Sequence, residues 1–190
     1  MLKYWNSNVY APAARVIGVY SQRLSREILE WSKQDLAQAN MLQQHVHPLA
    51  SQEGSTGAYN IEAAKAAPLA APQIKQPKPD AAEDAALDAL DMIGASEQSC
   101  ADLIGKAAKD PLLHHLHQIV DLAMLAEVSK MRERETRQMA GMIQAGSLWE
   151  SKEPRFWHCL KCGSYAHGKN AFQECPGCHA GRAYATVGGW

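Results

Sequence analysis

Apolar residues recur at steps of three and four along residues 11–47. Ile17, Tyr20, Leu24, Ile28, Trp31 and Leu42 share one face, while Arg15, Arg23, Arg26, Lys33 and Asp35 mostly fall elsewhere. That period predicts one long amphipathic helix whose apolar stripe needs a partner. Residues 48–79 lose the pattern. Pro48, Pro68, Pro72, Pro77 and Pro79 punctuate them, with Gly54, Ser55 and Gly57 between, and they read as a linker or long crossover with a short helical piece over 61–67. The helical period returns at residue 80. Asp80 and Glu83 fit a capping box in its Asp variant, and Leu87, Leu90, Ile93, Ala101, Ile104 and Ala107 make the apolar face, with Gly94 and Ser96 as candidate break points. Asp110-Pro111 fits an N-cap followed by proline at the first helical position, and predicts a helix to about residue 145 that Gly146 ends. Residues 112–128 of that helix are apolar on nearly every side, which marks a helix buried from several directions or placed at a subunit interface. Residues 130–137 alternate in charge and read as a solvated or ion-paired face.

The expectation is a mainly α chain: a bundle of three long helices, completed by dimerisation, ahead of a tail of different character. In segments, residues 1–47 carry the first helix, 48–79 the linker or crossover, 80–150 the helices completing the helical domain, and 151–190 a small metal domain. Composition fits packed helices, with 46% apolar residues and only 2 Phe. A formal net charge of -1 with 21% charged residues gives no basis for a nucleic-acid or membrane-surface partner. No apolar run approaches the ~18 residues of a membrane span. The N-terminal residues lack a compact apolar run ending in a cleavage site, so a cytoplasmic protein is expected.

Candidate chemistry in the helices is sparse. Glu27 and His45 lie at the edge of the first stripe and read as a solvated carboxylate and a surface histidine. His114, His117 and Asp121 share a face at spacings i, i+3 and i+7; histidines near a carboxylate can bind a transition metal, but no companion ligand set stands on another helix. Glu127 falls on the apolar side of its helix. No phosphate-binding glycine loop, nucleophile elbow or H-E-x-x-H is present, and no catalytic set is legible. Cys100 stands alone in a helical pattern and reads as a small buried hydrophobe.

The tail states its chemistry openly. Cys159-Leu-Lys-Cys162 and Cys175-Pro-Gly-Cys178 hold four of the five cysteines. Each C-x-x-C places two thiolates on one tight turn, and two such turns facing each other close a tetrahedral S₄ site. Without a secretion signal this pattern favours metal over disulfides. About 34 residues bury too little core to fold unaided, so the metal is expected to supply much of the tail's stability.

From Gly146 onward the chain resembles the C-terminal rubredoxin-like domain of rubrerythrins. The matching pieces are Ala145-Gly146-Ser-Leu-Trp149, Trp157-His-Cys159-Leu-Lys-Cys162-Gly163, Gly168 and Ala171, Cys175-Pro176-Gly-Cys178, and Ala183-Tyr184. The resemblance covers roughly the last 45 residues. It implies a small metal-bound β domain holding one iron in an FeS₄ site on Cys159, Cys162, Cys175 and Cys178, which carries single electrons. Two positions depart from the family: His179 follows the second knuckle where a small residue is usual, and Ser164 shifts the aromatic to Tyr165. Zinc in the same thiolates stays open as the alternative. In rubrerythrins the domain follows a ferritin-like bundle with a di-iron centre built on E-x-x-H pairs. No E-x-x-H occurs in this chain, and the family's last pair would fall at Ser129 and Arg132. The expected function is therefore non-catalytic one-electron transfer to a redox partner or larger complex, in a homo-oligomer. The alternative is an assembly protein with a zinc-stapled tail; a third reading is an oxidoreductase with a non-standard di-metal site from Glu27, Glu127, His114 and His117.

Overall fold

The computed structural model describes residues 2–52, 77–111 and 121–187. Among the described residues four helices form one bundle: α1 (Leu2–Tyr20), α2 (Gln22–Gln52), α3 (Ala82–Ala107) and α4 (Leu122–Gln144). A three-stranded antiparallel sheet follows, of β1 (Glu150–Cys159), β2 (Tyr165–Asn170) and β3 (Ala185–Val187), ordered β2-β1-β3. The mainly helical class with a small β tail is as expected.

The helix count is not. The single helix expected over 11–47 is two helices lying side by side, so the described residues hold four helices rather than three. The chain turns back at Ser21, bringing the rings of Tyr10 and Trp31 to 6.4 Å. Ser21 caps α2 by accepting from the Leu24 N–H at 3.4 Å. At Gly18 the two helices come close: a Cβ there would lie 3.2 Å from Gln22 Nε2 and Ser25 Oγ. Both helices turn their stripes to the same core, so the apolar period runs through the reversal without a break. Ile17, Leu24, Ile28 and Trp31 are all buried.

Other boundaries also differ. α2 continues past Pro48 to Gln52. Residues 53–76, which include the expected piece over 61–67, lie outside the described residues. Asp80 sits inside a short 3₁₀ turn, Pro79–Ala81, and the residue flanking α3 is Ala81, with no side-chain cap. α3 is unbroken at Gly94 and Ser96. Gly94 marks close packing instead: an added Cβ would meet Thr136 Oγ1 of α4 at 3.1 Å. Of the helix expected from 110 to 145, α4 covers Leu122–Gln144, and Asp121 before it takes extended backbone and accepts from the Met124 N–H at 2.9 Å. Residues 112–120 lie outside the described residues. Gly146, at φ 66°, ends α4 as expected.

One core joins bundle and sheet. Val9, Tyr10, Ile17, Leu24, Ile28, Leu90, Ile93 and Ile143 pack in the same cluster as Leu148, Trp149, Trp157 and Ala185. The tail therefore rests on the bundle near the α1–α2 turn, where the Tyr20 and Trp149 rings are 6.1 Å apart. A smaller cluster of Cys100, Ile104, Leu122, Leu125 and Ala126 joins α3 to the start of α4; Cys100 is fully buried there, as expected of a small hydrophobe.

Candidate metal centre

Two turns of matching construction hold the cysteines. In the first, the Gly163 N–H donates to Cys159 O at 2.9 Å and the Cys159 N–H to Ser164 O at 2.8 Å. In the second, the His179 N–H donates to Cys175 O at 3.0 Å and the Cys175 N–H to Ala180 O at 2.8 Å. Each turn needs a left-handed residue directly after its second cysteine. Gly163 fills that place at φ 80° and His179 at φ 56°. Glycine takes this conformation without strain, whereas a side chain there costs about 1 kcal/mol. Glu174 Oε1 lies 2.6 Å from His179 Nδ1 across the second turn. His179→Gly should therefore raise the melting temperature of the metal-loaded protein slightly; a drop would show that the Glu174–His179 contact outweighs the backbone strain.

The fit to a metal is direct. The four Sγ atoms lie within 4.8 Å of one another. Cys159 and Cys178 are 3.8 Å apart, and Cys162 and Cys175 3.5 Å. A tetrahedron with metal–sulfur bonds of about 2.3 Å has edges of about 3.8 Å, whereas a disulfide needs about 2.05 Å. The Gly177 N–H points to Cys175 Sγ at 3.4 Å, the kind of amide contact that stabilises thiolate charge. Two of the thiols are displaced in opposite directions. Hydrogen bonds from Ser164, first its hydroxyl and then its amide, push Cys162 down to about 6. At Cys178 the Ala180 amide favours the thiolate, but lost solvent and the three neighbouring thiols outweigh it and push the group up to about 12. A bound cation lets all four ionise together.

Burial gives the centre a direction. Cys159 and Cys175 are buried, Cys178 is half-buried and Cys162 is exposed. Trp157, fully buried, closes the bundle side and donates from Nε1 to Gly168 O at 3.1 Å. On the outer face of β1 and β2, His158 stacks on Tyr165 at 4.7 Å, and Phe156 meets His167 at 4.8 Å.

The bundle interior holds a second polar cluster that the apolar periodicity did not single out. Arg132 Nη1 pairs with Asp35 Oδ1 and lies 3.3 Å from Glu97 Oε1, while its Nη2 donates to Gln34 Oε1 at 2.8 Å. The Tyr10 hydroxyl donates to Glu97 Oε1, and the guanidinium carbon sits 5.8 Å over the Trp31 ring. Tyr10, Asp35, Glu97 and Arg132 are buried to 1% exposure or less. Burial works against the Arg132 charge, but Asp35, Tyr10 and Glu97 outweigh it and raise its pKa further. The one available signal was charge on an apolar stripe: Asp35 stands four residues after Trp31, Glu97 four after Ile93, and Arg132 seven after Leu125.

Ser129 and Arg132, where the family's last E-x-x-H would fall, do face the bundle interior, at 0% and 1% exposure. They do not fit a di-iron centre. A guanidinium already stands between the two buried carboxylates, and a second cation there would meet like charge at close range. Of the third reading's residues only Glu27 and Glu127 are described, and each has its own charged neighbours. Glu127 is exposed and bonded to Lys130 at 2.6 Å, which holds its carboxyl below the usual range. Glu27 is half-buried, and burial raises its carboxyl, with Arg23 lowering it and Glu135 raising it. Asp121 is a helix cap. His114 and His117 lie outside the described residues, as does the side chain of His45 on α2. Among the described residues, the four cysteines form the one group of three or more His, Cys, Asp or Glu arranged to hold a metal.

Tyr10 gives this cluster a pH signature. Burial, then the charges of Glu97 and Asp35, raise its pKa well above the usual phenol value. The folded state thus favours the neutral phenol. Its contribution is complete below pH ~10, the unfolded value, and declines above it. Tyr10→Phe should cost about 1.5–3 kcal/mol, the range for a hydrogen bond to a charged group. In denaturant unfolding, the gap between wild type and Tyr10→Phe should narrow above pH ~10; a constant gap would contradict the buried hydrogen bond.

A four-helix bundle carrying a three-stranded sheet with a four-cysteine metal site is the class that fold and site define. No family model matches the chain. Over 64 residues it is 34% identical to Rubrerythrin-1 of Clostridium acetobutylicum, a match that covers 34% of this chain and 33% of that protein. The chain thus spans about a third of the length of the curated relative it matches. That similarity and the four-cysteine site agree with the resemblance read from the tail, and they fit a redox or metal-binding role. Among the described residues no helix is long and apolar enough to cross a membrane.

Proposed function

We propose that the chain is a one-electron carrier. Cys159, Cys162, Cys175 and Cys178 would hold a single iron, which supplies the Fe(III)/Fe(II) couple when bound. The two knuckles hold four sulfurs within 4.8 Å of one another, so the ligand cage would need little rearrangement as charge changes. Cys162, the exposed cysteine of the four, is the point where a donor or acceptor protein approaches, each exchanging one electron with the site. The bundle serves as the rigid body against which Trp149 and Trp157 seat the sheet. Among its described residues it holds no further metal-ligand group, and Arg132 supplies the cation beside Asp35 and Glu97. The observation that carries this reading is the close four-cysteine cluster, with Cys162 its exposed member.

Metal analysis of protein purified aerobically from iron-sufficient cells tests it. One iron per chain, with a red colour from thiolate-to-iron charge transfer, is expected. A colourless protein with one zinc per chain contradicts electron transfer and favours a structural tail, since zinc has no redox chemistry. Three metals per chain would contradict the inert bundle.

A further inference from the structure

Resting on the electron-carrier reading, we infer that the Ser164 hydroxyl is a potential-setting group for the metal centre, held over the exposed ligand sulfur by the absence of a side chain at Gly177. Ser164 Oγ lies 3.2 Å from Cys162 Sγ. A metal-bound thiolate can only accept, so the hydroxyl donates. The side chain sits between the two knuckles: a Cβ on Gly177 would overlap Ser164 Oγ, approach Ser164 Cβ at 3.1 Å and touch Cys162 Sγ at 3.5 Å. The Ser164 carbonyl is tied to the Cys159 N–H at 2.8 Å, which fixes the residue's backbone. One residue therefore braces the first knuckle through its carbonyl, and its side chain, over the second, caps the most exposed sulfur.

The consequence is electrostatic. An added electron makes the centre more negative by one unit, and part of that charge resides on the sulfurs. A hydroxyl dipole aimed at a sulfur stabilises the reduced state more than the oxidised one and raises the reduction potential. Solvent competes at Cys162, so the effect is moderate.

Ser164→Ala should retain iron and lower the midpoint potential. The expected change is about five- to tenfold in the electron-acceptance equilibrium, or about 40–60 mV at 59 mV per tenfold for one electron. The charge-transfer bands should move to longer wavelength as the sulfur lone pairs lose their donor. Ser164→Thr keeps the hydroxyl and should stay near wild type. Gly177→Ala meets no left-handed backbone and should displace the hydroxyl, lowering the potential with Ser164 still present. The double variant Ser164→Ala/Gly177→Ala should fall no further than Ser164→Ala, because both changes remove one hydrogen bond. An iron-loaded Ser164→Ala with unmoved potential and bands overturns this assignment alone, as does full additivity in the double variant. A wild-type protein that takes zinc and no iron overturns the electron-carrier reading and this assignment with it.

Discussion

Arg132→Ala is expected to destabilise the bundle by about 3–5 kcal/mol, the cost of leaving buried charge without its partner. The change removes the guanidinium from between Asp35 and Glu97, both at 0% exposure, and leaves two carboxylates and the Tyr10 phenol in a site that water cannot reach. Arg132→Lys should recover only part of the loss. A single ammonium cannot reproduce the fork that reaches Asp35, Glu97 and Gln34 together. Replacing the whole set, Arg132→Met with Asp35→Leu, Glu97→Met and Tyr10→Phe, should be far less harmful than Arg132→Ala alone, since apolar residues of similar volume can match a buried ion network. Denaturant unfolding of the three variants checks this. A loss below about 1 kcal/mol for Arg132→Ala, the range of exposed pairs, would mean that the cluster is solvated.

Cys175→Ala is expected to abolish metal binding and unfold the sheet while most of the helix content remains. Cys175 is fully buried, and its backbone closes the second knuckle through His179 and Ala180. Binding of a structural metal by four thiolates is worth about 10–16 kcal/mol in small zinc domains, more than the few apolar residues of this sheet can replace. The sheet's own contribution to the shared core is chiefly Trp157, Ala171 and Ala185, so the bundle keeps its interior. Far-UV circular dichroism should change little. The near-UV signal of Trp149 and Trp157 should collapse, and amide protons of β1 and β2 should exchange rapidly. Loss of the helical signal as well would show that bundle and tail fold as one unit.

These two sites differ in how far they were legible in the sequence, and the reason is the range of the interactions that build them. A C-x-x-C knuckle is closed within five residues by its own backbone, so spacing alone reports it. Pairing the two knuckles needed only the observation that no other cysteine pairs exist. The Arg132 cluster joins residues 97 and 35 positions apart, and with Tyr10 it draws on all four described helices. Nothing local announces it except a charge where an apolar residue should stand. Asp35 reads in the sequence as one more charge among Arg23, Arg26 and Lys33, although it continues the line through Ile28 and Trp31. The reversal at Ser21 is hidden for the opposite reason: the apolar period on either side is continuous, because both arms of the hairpin face one core. Gly18, Ser21 and Ser25 were the only local sign of the reversal. The exposure of Cys162 and the place of Ser164 over Gly177 depend on how the two knuckles dock, which spacing does not encode.

The central claim is that one metal, in the four thiolates, exchanges one electron. A spectroelectrochemical titration of the purified chain, read against its iron content, tests this most directly. The expected result is a single reversible wave with n = 1, in which the visible thiolate-to-iron bands bleach completely as one electron enters per chain and return on reoxidation. No reversible wave, or uptake of two or three electrons per chain, would contradict it.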